Sequence, residues 1–561
     1  MIWTIHIPHH VAFELRRTQV SESRGELWRS HYLNDDKSEF ASATHHRRST
    51  LAYVADSQRG SEGTAYTERT GVRWNDVLAG ISVAFVLIPQ SLAYAELVGL
   101  PAFHGLYAAA LPPIAAAFFA SSPYLQTGPT ALTAILAYGV LTSHFAVASP
   151  EYIGAAALLA LLVGVLRTLL GLFRLGSLAY FMSQPVLRGF TSAAAVLILC
   201  SQVPTALGVE ASGEGIFSRL FYTATHPASW QLSAVGFSLA TLLLVLGGRR
   251  LSPLFPGVLA AVLVGVGVSS WLGYAAPVVG EVGAPFVRLE LALPWYALPE
   301  LFVGALVIAG VGFAEPTAIA RAYAKEENGR WDPNRELVSQ GVANVAAGLV
   351  QGFPVGGSFS RSSLGKLAGA TSRWSGLVTG LVTLAFIPFA SLISALPRAV
   401  LGAIVIAGVL NLLGARELVR LWRYARFQAL TAYATFGLTL LLAPRIDYAV
   451  LAGVALAVGL HLWRETQLSV QSSRREDTLV VEVTGVLYFG SVHQLESALR
   501  SLPDVSDLDI EEVVVDGAGL GRVDLNGVMA LHAWQQKVEE KGTPLRFIHL
   551  QPHVRRMMRR L

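Results

Sequence analysis

Apolar residues form a long series of runs between about residue 73 and about residue 464, and short polar stretches separate them. A helix needs roughly 20 apolar residues to cross a bilayer. Several runs reach that length, while those beginning at Pro129 and Phe359 fall short of it. The pattern predicts fourteen helical segments, at residues 77–95, 102–120, 129–142, 152–173, 183–207, 231–248, 253–272, 300–323, 336–351, 359–371, 375–395, 398–413, 427–444 and 447–463.

The density of charge indicates a protein that crosses the membrane many times. Leu97 to Pro150 contains no Asp, Glu, Lys or Arg, and a water-facing domain does not run that far without charge. Charged residues make up 14% of the chain and the mean hydropathy is +0.49, whereas soluble domains carry roughly 25% charged residues. This composition excludes a cytosolic enzyme, a nucleic-acid-binding protein and a secreted scaffold. Cys200 is the only cysteine in the sequence, so neither an intrachain disulfide nor a cysteine-cluster metal site is expected, and no cofactor is expected either.

Basic residues favour one side of the predicted membrane domain. The long loops after odd-numbered runs, near 208–230 and 273–299, hold only Arg219 and Arg288. Cytoplasmic loops carry the excess of Lys and Arg, so this distribution places both termini in the cytoplasm. No targeting signal is evident, and we expect a multi-pass protein of the plasma (inner) membrane. The cations that follow even-numbered runs are Arg174, Arg249, Arg250, Arg321, Lys325, Arg330, Arg335, Arg416, Arg420, Arg423, Arg426, Arg464, Arg474 and Arg475.

Both ends of the chain are polar. Residues 1–72 are rich in Ser, Arg, Glu and His, which predicts a cytoplasmic, mostly disordered extension before the membrane domain of residues 73–464. Residues 476–561 predict a small cytoplasmic α/β domain, with strands at 478–490, 510–519 and 544–550 and helices at 527–542 and 553–561. The "GAGLG" segment at 517–521 follows a predicted strand there. Its spacing differs from the G-x-G-x-x-G dinucleotide fingerprint, and the unit is too small for that fold.

Related motifs recur in the two halves of the membrane domain. In the first half, "IPQSLAYA" (88–95) lies within a span and "TGPTALT" (127–133) opens a short run. In the second half, "GFAEPTAIARAYA" (312–324) lies within a span and "GGSFSRSS" (356–363) opens a short run. Two halves of seven segments insert in opposite orientations. Gly/Pro-interrupted segments at matching positions of such halves predict a substrate site near the membrane midplane.

The chemistry of the short runs points to an anion. Pro129 and Thr130 suit the first turn of one helix, and Ser358 or Ser360 can cap the other. Each helix N-terminus presents unpaired N–H groups and roughly half a positive charge, so two such ends that meet would bind an anion without a metal. Arg361 adds a full charge and a fork of donors. The alternative is that both motifs are packing kinks, because small residues are common at helix contacts in membranes.

An acidic residue within a span is the strongest single candidate for a functional residue. Glu315 lies near a helix centre, where an acid costs about 3 kcal/mol on insertion scales, beside Pro316, which we expect to break the helix. A carboxyl influenced by both desolvation and Arg361 can change its protonation during a cycle, whereas a static ion pair with Arg361 is the alternative. Gln90 and Tyr94, one turn apart, can line the same pocket or only pack between helices.

These motifs resemble those of the SulP anion permeases, the family of sulfate permeases, bicarbonate transporters, pendrin-like exchangers and prestin. The resemblance covers about residues 73–555. It is carried by "IPQSLAYAELVGLPAFHGLYAAALPP", "GPTALT", "EPTAIARAYA" and "QGFPVGGSFSRSSLGKLAGATSR". The C-terminal domain resembles the STAS domain that normally follows this transporter.

The resemblance implies a polytopic α-helical fold of fourteen segments in two inverted repeats of seven. Segments 1–4 and 8–11 would form a core that carries the substrate, and segments 5–7 and 12–14 a gate against which the core moves as an elevator. It also implies a homodimer, with the STAS domain contributing contacts or regulation. The anion-site positions that it implies are Gln90, Tyr94, Thr130, Glu315, Ser360 and Arg361.

The sequence departs from the family pattern at two places. STAS domains of the anti-sigma antagonist type carry a phosphorylatable Ser or Thr where this chain reads "VDLNG", with Leu525 and Asn526, so phosphorylation there is not expected. Sodium-coupled bicarbonate members have an Asp in place of Glu315 and a Thr in place of Ile319 one turn later. The apolar Ile319 therefore puts a sodium site in doubt.

We therefore expect a secondary active transporter of small inorganic or carboxylate anions, with sulfate, bicarbonate, dicarboxylate and chloride open as substrates. Protonation of Glu315 would remove its repulsion of the anion, which predicts proton-coupled symport. The family resemblance implies that this transport follows an elevator mechanism. The alternatives are a sodium-coupled bicarbonate symporter, an anion exchanger, or a non-transporting, anion-responsive scaffold acting through the STAS domain. Arg361 and the STAS domain disfavour a nucleobase permease of related fold. The expected partners are a small anion, protons, membrane lipid and a second copy of the chain.

Overall fold

The computed structural model describes residues 71–177, 183–210, 215–252, 254–274, 276–280, 289–290, 292–502 and 510–560. The predicted N-terminal extension, residues 1–72, lies outside these ranges except for its last two residues. The described chain consists of a helical part followed by a small α/β part that begins at Ser469.

A helix lies in each of the fourteen apolar runs. By length and composition alone, eight helical stretches of the described chain can cross a membrane, and three more are apolar but shorter. Their arrangement as two inverted repeats of seven stays a prediction. In chain order the helices are α1 (Trp74–Val98), α2 (Phe103–Phe119), α3 (Ala131–Thr142), α4 (Pro150–Leu172), α5 (Gln184–Ala206), α6 (Ile216–Thr225), α7 (Leu232–Leu242), α8 (Gly248–Leu251), α9 (Gly257–Leu272), α10 (Leu298–Glu326), α11 (Pro333–Leu349), α12 (Phe359–Leu367), α13 (Trp374–Phe386), α14 (Arg398–Val409), α15 (Ala415–Tyr424), α16 (Arg426–Leu441) and α17 (Ile446–Thr466).

Pro316 does not break its helix, and the expectation that it would was wrong. α10 runs without interruption through Pro316, as α1 does through Pro89. A proline removes one backbone N–H and so deprives only the carbonyl four residues earlier of its helical donor, while the rest of the helix keeps its hydrogen bonds. In α10 that carbonyl belongs to Gly312. Its oxygen lies near Gly356, 3.6 Å from the position that a Cβ atom there would occupy.

The helices pack in two groups. The first group comprises α1–α4 and α10–α13, and the second comprises α5–α9 and α14–α17. Glycine permits the closest contacts within the first group. A side chain at Gly105 would overlap the backbone of Ser91, and one at Gly164 would overlap the backbone of Val345. The first group contains the segments that the family resemblance assigns to the core, and the second group contains those that it assigns to the gate.

The C-terminal part is a sheet of five strands in the described residues. β3 (Ser469–Arg475) pairs antiparallel with β4 (Thr478–Leu487), which pairs in parallel with β5 (Glu512–Asp516) and β6 (Leu520–Val523). β5 also pairs in parallel with β7 (Leu545–Ile548). Three helices, α18 (Val492–Arg500), α19 (Leu525–Glu539) and α20 (Pro552–Met558), share the apolar core of this sheet. The two-residue strands β1 (Thr127–Gly128) and β2 (Gly356–Gly357) belong to the membrane part.

The strands predicted around 478–490, 510–519 and 544–550 are confirmed, as are the two predicted helices. β3, β6 and α18 were not predicted. The "GAGLG" segment leads into β6 rather than into a helix. It therefore lacks the helix N-terminus on which a dinucleotide-binding loop places the pyrophosphate.

Asp524 caps α19. Its carboxylate accepts hydrogen bonds from the backbone N–H groups of Gly527 at 2.9 Å and Phe489 at 3.2 Å. Partial burial alone would raise the pKa of this carboxyl, but these hydrogen bonds, with those from Asn526, hold the pKa below its ordinary value. The cap therefore stabilises the fold fully above the unfolded-state pKa of about 3.9, and that stabilisation is lost as the pH falls through the folded-state pKa.

We expect Asp524→Ala to weaken the start of α19 by about 1 kcal/mol, the usual loss for an uncapped helix. At neutral pH, amide hydrogen exchange in α19 of the full-length protein should accelerate about fivefold, while exchange in α11 stays unchanged. Asp524→Asn keeps a capping oxygen and is the matched control, with exchange close to wild type. Equal exchange in the Ala variant and the wild-type protein would contradict the capping role.

Candidate anion-binding site

Two short strands meet where the two predicted short helices begin. β1 (Thr127–Gly128) pairs antiparallel with β2 (Gly356–Gly357). α3 begins directly after Thr130, and α12 begins directly after Ser358. Extended backbone inside a bilayer needs internal hydrogen-bond partners, and each strand supplies them to the other. The strand pair thereby brings the starts of α3 and α12 to one junction.

Arg361 lies in the first turn of α12 and only 1% of it is exposed. Its Nη1 donates to Oε1 of Gln90 on α1 at 3.4 Å. Its Nε and Nη2 have no hydrogen-bond partner among the described residues, and Nη2 lies 3.5 Å from the position that a Cβ atom on Gly128 would occupy. A buried donor without a partner is costly, so this fork is suited to an anion held at the junction.

Tyr94 lies one turn beyond Gln90 on α1 and is also buried. Its side chain lies near Arg361 and Glu315. Its hydroxyl lies 3.8 Å from the position of a Cβ atom on Gly408 in α14. Tyr94 therefore reaches from the candidate site to the second helix group.

The two helix starts are capped differently. Oγ1 of Thr130 accepts a hydrogen bond from the backbone N–H of Thr133 at 3.2 Å, so this hydroxyl completes the start of α3. Ser358 occupies the N-cap position of α12, but its side chain makes no capping hydrogen bond. Its Oγ instead lies 3.2 Å from Oγ of Ser360, which is exposed. The N–H groups in the first turn of α12 are therefore more available to a ligand than those of α3.

Glu315 approaches the start of α12 from α10. Its carboxylate lies within hydrogen-bonding reach of the backbone N–H of Phe359, the first residue of α12, and interacts electrostatically with Arg361. Within the described structure, Glu315 and Arg361 do not form a direct ion pair. The carboxylate thus occupies the same positive helix end that a bound anion would use.

A cavity of about 340 Å³ opens beside the junction, between the two helix groups. Gln90 and Ser360 line it on the side of the first group, and Arg249 and Asn411 line it on the side of the second. From the sequence Arg249 was predicted only as a loop charge, and Asn411 was not predicted to line a site. Through this cavity a hydrated anion can approach Gln90 and Ser360 from the end of the protein where Arg249 lies.

A separate cavity of about 450 Å³ lies beyond the other end of α1. Its described lining includes Glu96 and Arg398 but none of the predicted site residues. Oε1 of Glu96, near the end of α1, lies 3.5 Å from Nε of Arg398, the first residue of α14. This ion pair joins the first helix group to the second on the side of the site away from Arg249.

Buried amide side chains hold the non-helical backbone around the junction. Nε2 of Gln340 donates to Oγ1 of Thr127 at 2.7 Å. One turn later on α11, Asn344 accepts from the backbone N–H of Val355 at 2.9 Å and donates to its carbonyl oxygen at 3.0 Å. Neither residue was predicted from the sequence. Two amides one helical turn apart in an apolar run were the available signal.

A buried carboxylate fixes the chain that follows α12. Oδ1 of Asp76, in the first turn of α1, accepts from the backbone N–H groups of Thr371 at 2.7 Å and Ser372 at 2.9 Å. Asp76 is fully buried, and hydrogen bonds of this kind to a charged group are about twice as strong as neutral ones. The two ends of the segment that contains Arg361 are thus held by α11 and α1.

Comparison with known proteins places these features in a family. Residues 74–435 match the model of the sulfate permease family, and residues 470–561 match a model described as Mlab, STAS domain. A probable sulfate transporter of Mycobacterium tuberculosis is 31% identical over 519 residues, which cover 87% of this chain and 91% of that protein. The sodium-independent sulfate anion transporter of Bos taurus is 30% identical over 524 residues, which cover 86% of this chain and 85% of that protein.

Solved structures share the fold. The inward-facing structure of the murine anion transporter solute carrier 26 family member A9 matches with a TM-score of 0.80 and 20% identity, covering 88% of this chain and 89% of that one. The transmembrane domain of the cyanobacterial bicarbonate transporter BicA matches with a TM-score of 0.59 and 22% identity, covering 69% of this chain and 99% of that one. The resemblance inferred from the motifs is confirmed, and the chain belongs to the sulfate permease family of anion transporters, with a C-terminal STAS domain.

Proposed function

We propose that this protein is a secondary active transporter of small anions, which bind where α3 and α12 begin. The observation that carries the proposal is the buried guanidinium of Arg361 at the meeting point of two helix starts, with its Nε and Nη2 unpaired among the described residues. Two helix N-termini and an arginine supply positive charge and hydrogen-bond donors around one point. Sulfate, bicarbonate, dicarboxylate and chloride all fit that chemistry, and the names of the two relatives favour sulfate.

We expect Arg361→Ala to abolish anion binding and to lower sulfate uptake into proteoliposomes by at least about 100-fold. Removal of one partner from a buried, hydrogen-bonded charge pair has an effect of that size. Arg361→Lys should restore only part of the uptake, because an ammonium group lacks the fork of donors. Arg188→Ala is the control, since Arg188 pairs with Glu417 within the second helix group and should be dispensable for binding. Wild-type uptake by the Arg361→Ala protein would refute the site.

We propose further that the anion crosses when the first helix group moves against the second, as in an elevator. Two observations support this movement. The cavity beside Ser360 lies between the groups, and the ion pair of Glu96 and Arg398 joins the groups on the other side. In the opposite state, that ion pair would separate and the cavity beside Ser360 would close.

A cross-link between the groups tests this movement in a protein whose one cysteine has been replaced (Cys200→Ser). The substitutions Glu96→Cys and Arg398→Cys should permit uptake until a short cleavable cross-linker joins them, and cleavage should restore it. The matched control combines Arg188→Cys and Glu417→Cys, because that native ion pair is also 3.5 Å long but lies within the second group. Cross-linking the control should leave uptake unchanged. Undiminished uptake by the protein linked between positions 96 and 398 would rule out relative movement there.

We also propose that Glu315 couples transport to protons. Its carboxylate lies at the start of α12, so the ionised form competes with the anion for the same positive helix end. Like-charge repulsion is worth about 4 kcal/mol at 4 Å and an effective dielectric constant of 20, and protonation removes it. Proton and anion should therefore bind with positive cooperativity, which is the basis of symport. Ile319, one turn later, lies in a buried apolar cluster and offers no oxygen to a sodium ion.

A pH gradient across proteoliposomes tests the coupling. An inward proton gradient should drive uphill sulfate uptake by the wild-type protein, with or without sodium, whereas Glu315→Gln should equilibrate sulfate without concentrating it. Glutamine has the size of glutamate but cannot bind the proton, so it is the matched variant. Uptake that ignores the pH gradient, or a Gln variant that still concentrates sulfate, would refute proton coupling through Glu315. Uptake that needs sodium or an internal anion would favour a sodium symporter or an exchanger instead.

We place both termini in the cytoplasm and the protein in the plasma membrane, as a homodimer. The arginines in the loops after even-numbered segments support the orientation. All candidate site residues lie in the membrane part, and the STAS domain has its own apolar core. We therefore assign the STAS domain to assembly or regulation rather than to the choice of anion.

A further inference from the structure

A second arginine is buried close to the candidate site, and it has no role in the proposed transport mechanism. Arg167 on α4 has no exposed surface. Its Nε donates to the carbonyl oxygen of Ala309 at 3.1 Å, its Nη2 to that of Ile308 at 2.9 Å, and its Nη1 to that of Val355 at 3.1 Å. Each guanidinium nitrogen thus has a backbone acceptor, and no acidic side chain in the described part of the chain pairs with Arg167.

The three carbonyl groups belong to the two segments that carry the site. Ile308 and Ala309 lie in α10, about two turns before Glu315. Val355 directly precedes β2, which leads into α12. Arg167 therefore ties the helix that bears Glu315 to the strand that sets the start of α12.

A thin layer of backbone separates this guanidinium from the junction. A Cβ atom on Gly312 would lie 2.6 Å from Nη2 of Arg167, so only glycine fits there without displacing the arginine. The carbonyl oxygen of Gly312 lies 3.6 Å from the position that a Cβ atom on Gly356 would occupy. The same Cβ position on Gly356 lies 3.8 Å from Oγ1 of Thr130, the residue that caps α3.

Backbone carbonyls satisfy the donors of Arg167, but they carry no net charge. A guanidinium stays protonated in proteins, and a charge in a medium of low dielectric acts over a longer distance than it would in water. The electrostatic potential of the Arg167 charge therefore extends to the junction. Its effect on a bound anion is proportional to the charge of that anion, so a divalent anion gains twice the free energy of a monovalent one.

We propose that Arg167 is a positioning and specificity-determining residue of this transporter. It holds α10 and β2 in place, and its uncompensated charge favours a divalent oxyanion over a monovalent one at the junction. The inference rests on the proposed anion site, and it deepens that proposal by naming the charge class of the substrate.

Sulfate and perchlorate test the proposal, because both are tetrahedral oxyanions and they differ by one unit of charge. Dissociation constants are measured on the purified full-length protein, for perchlorate as competition against labelled sulfate. Arg167→Gln removes the charge and keeps a hydrogen-bond donor. We expect this variant to raise the dissociation constant for perchlorate about fivefold and that for sulfate about 25-fold. The free-energy loss is twice as large for a dianion, so the fold-change in its dissociation constant is the square of that for a monoanion.

Arg167→Lys is the matched variant, because it keeps the charge and loses the fork. It should keep the wild-type ratio of the two constants, even where its uptake rate is lower. Equal losses for both anions in the Gln variant, or a changed ratio in the Lys variant, would overturn the proposal. If the Gln variant is not recovered as folded protein, the ratio in the Lys variant decides alone. A wild-type protein that binds neither anion would instead refute the proposed function.

Discussion

Backbone polar groups inside a bilayer have no water to bind, and the architecture around the junction follows from that constraint. The chain leaves helical geometry before α3 and again before α12, and each break must find hydrogen-bond partners within the protein. β1 and β2 find them in each other. Side chains from α11 and α4 complete the set, through Gln340, Asn344 and Arg167. Because the backbone groups at the two breaks form hydrogen bonds with each other, the two helix starts necessarily lie side by side.

The same arrangement concentrates positive charge at one point. Two helix N-termini and Arg361 meet there, Arg167 lies buried behind them, and the carboxylate of Glu315 reaches the start of α12. A site built in this way depends on the protonation of one carboxyl, since a single negative charge offsets a large part of the positive field. If Glu315 couples transport to protons as we propose, anion binding and proton binding are linked through this one helix end.

Contacts within the first helix group differ in kind from those between the groups. The two amides and the carboxylate that hold the segments around the junction, those of Gln340, Asn344 and Asp76, are fully buried, and breaking buried hydrogen bonds is costly. The ion pair between the groups is partly exposed, with 51% of the Arg398 side chain and 22% of the Glu96 side chain accessible. Exposed ion pairs contribute little to stability, about 0–1 kcal/mol. Such a contact suits the boundary that the proposed elevator movement would open, and the buried network would keep the candidate site intact during that movement.

The sequence by itself determined the features that depend on local composition. Apolar runs located a helix in each of the fourteen places, and alternation located most strands of the STAS domain, because burial in lipid or in a sheet imposes a pattern on consecutive residues. The matching motifs at Thr130 and Arg361 predicted the two helix starts, and these do meet at one junction. The tertiary structure alone decided that β1 pairs with β2, that α12 lacks a side-chain cap, and that α10 passes through Pro316 unbroken. It also decided that Glu315 faces a helix end rather than pairing with Arg361, and that Arg167 lies behind the junction. These features join segments that are far apart along the chain, and no pattern of neighbouring residues encodes which distant backbone group a buried donor will reach.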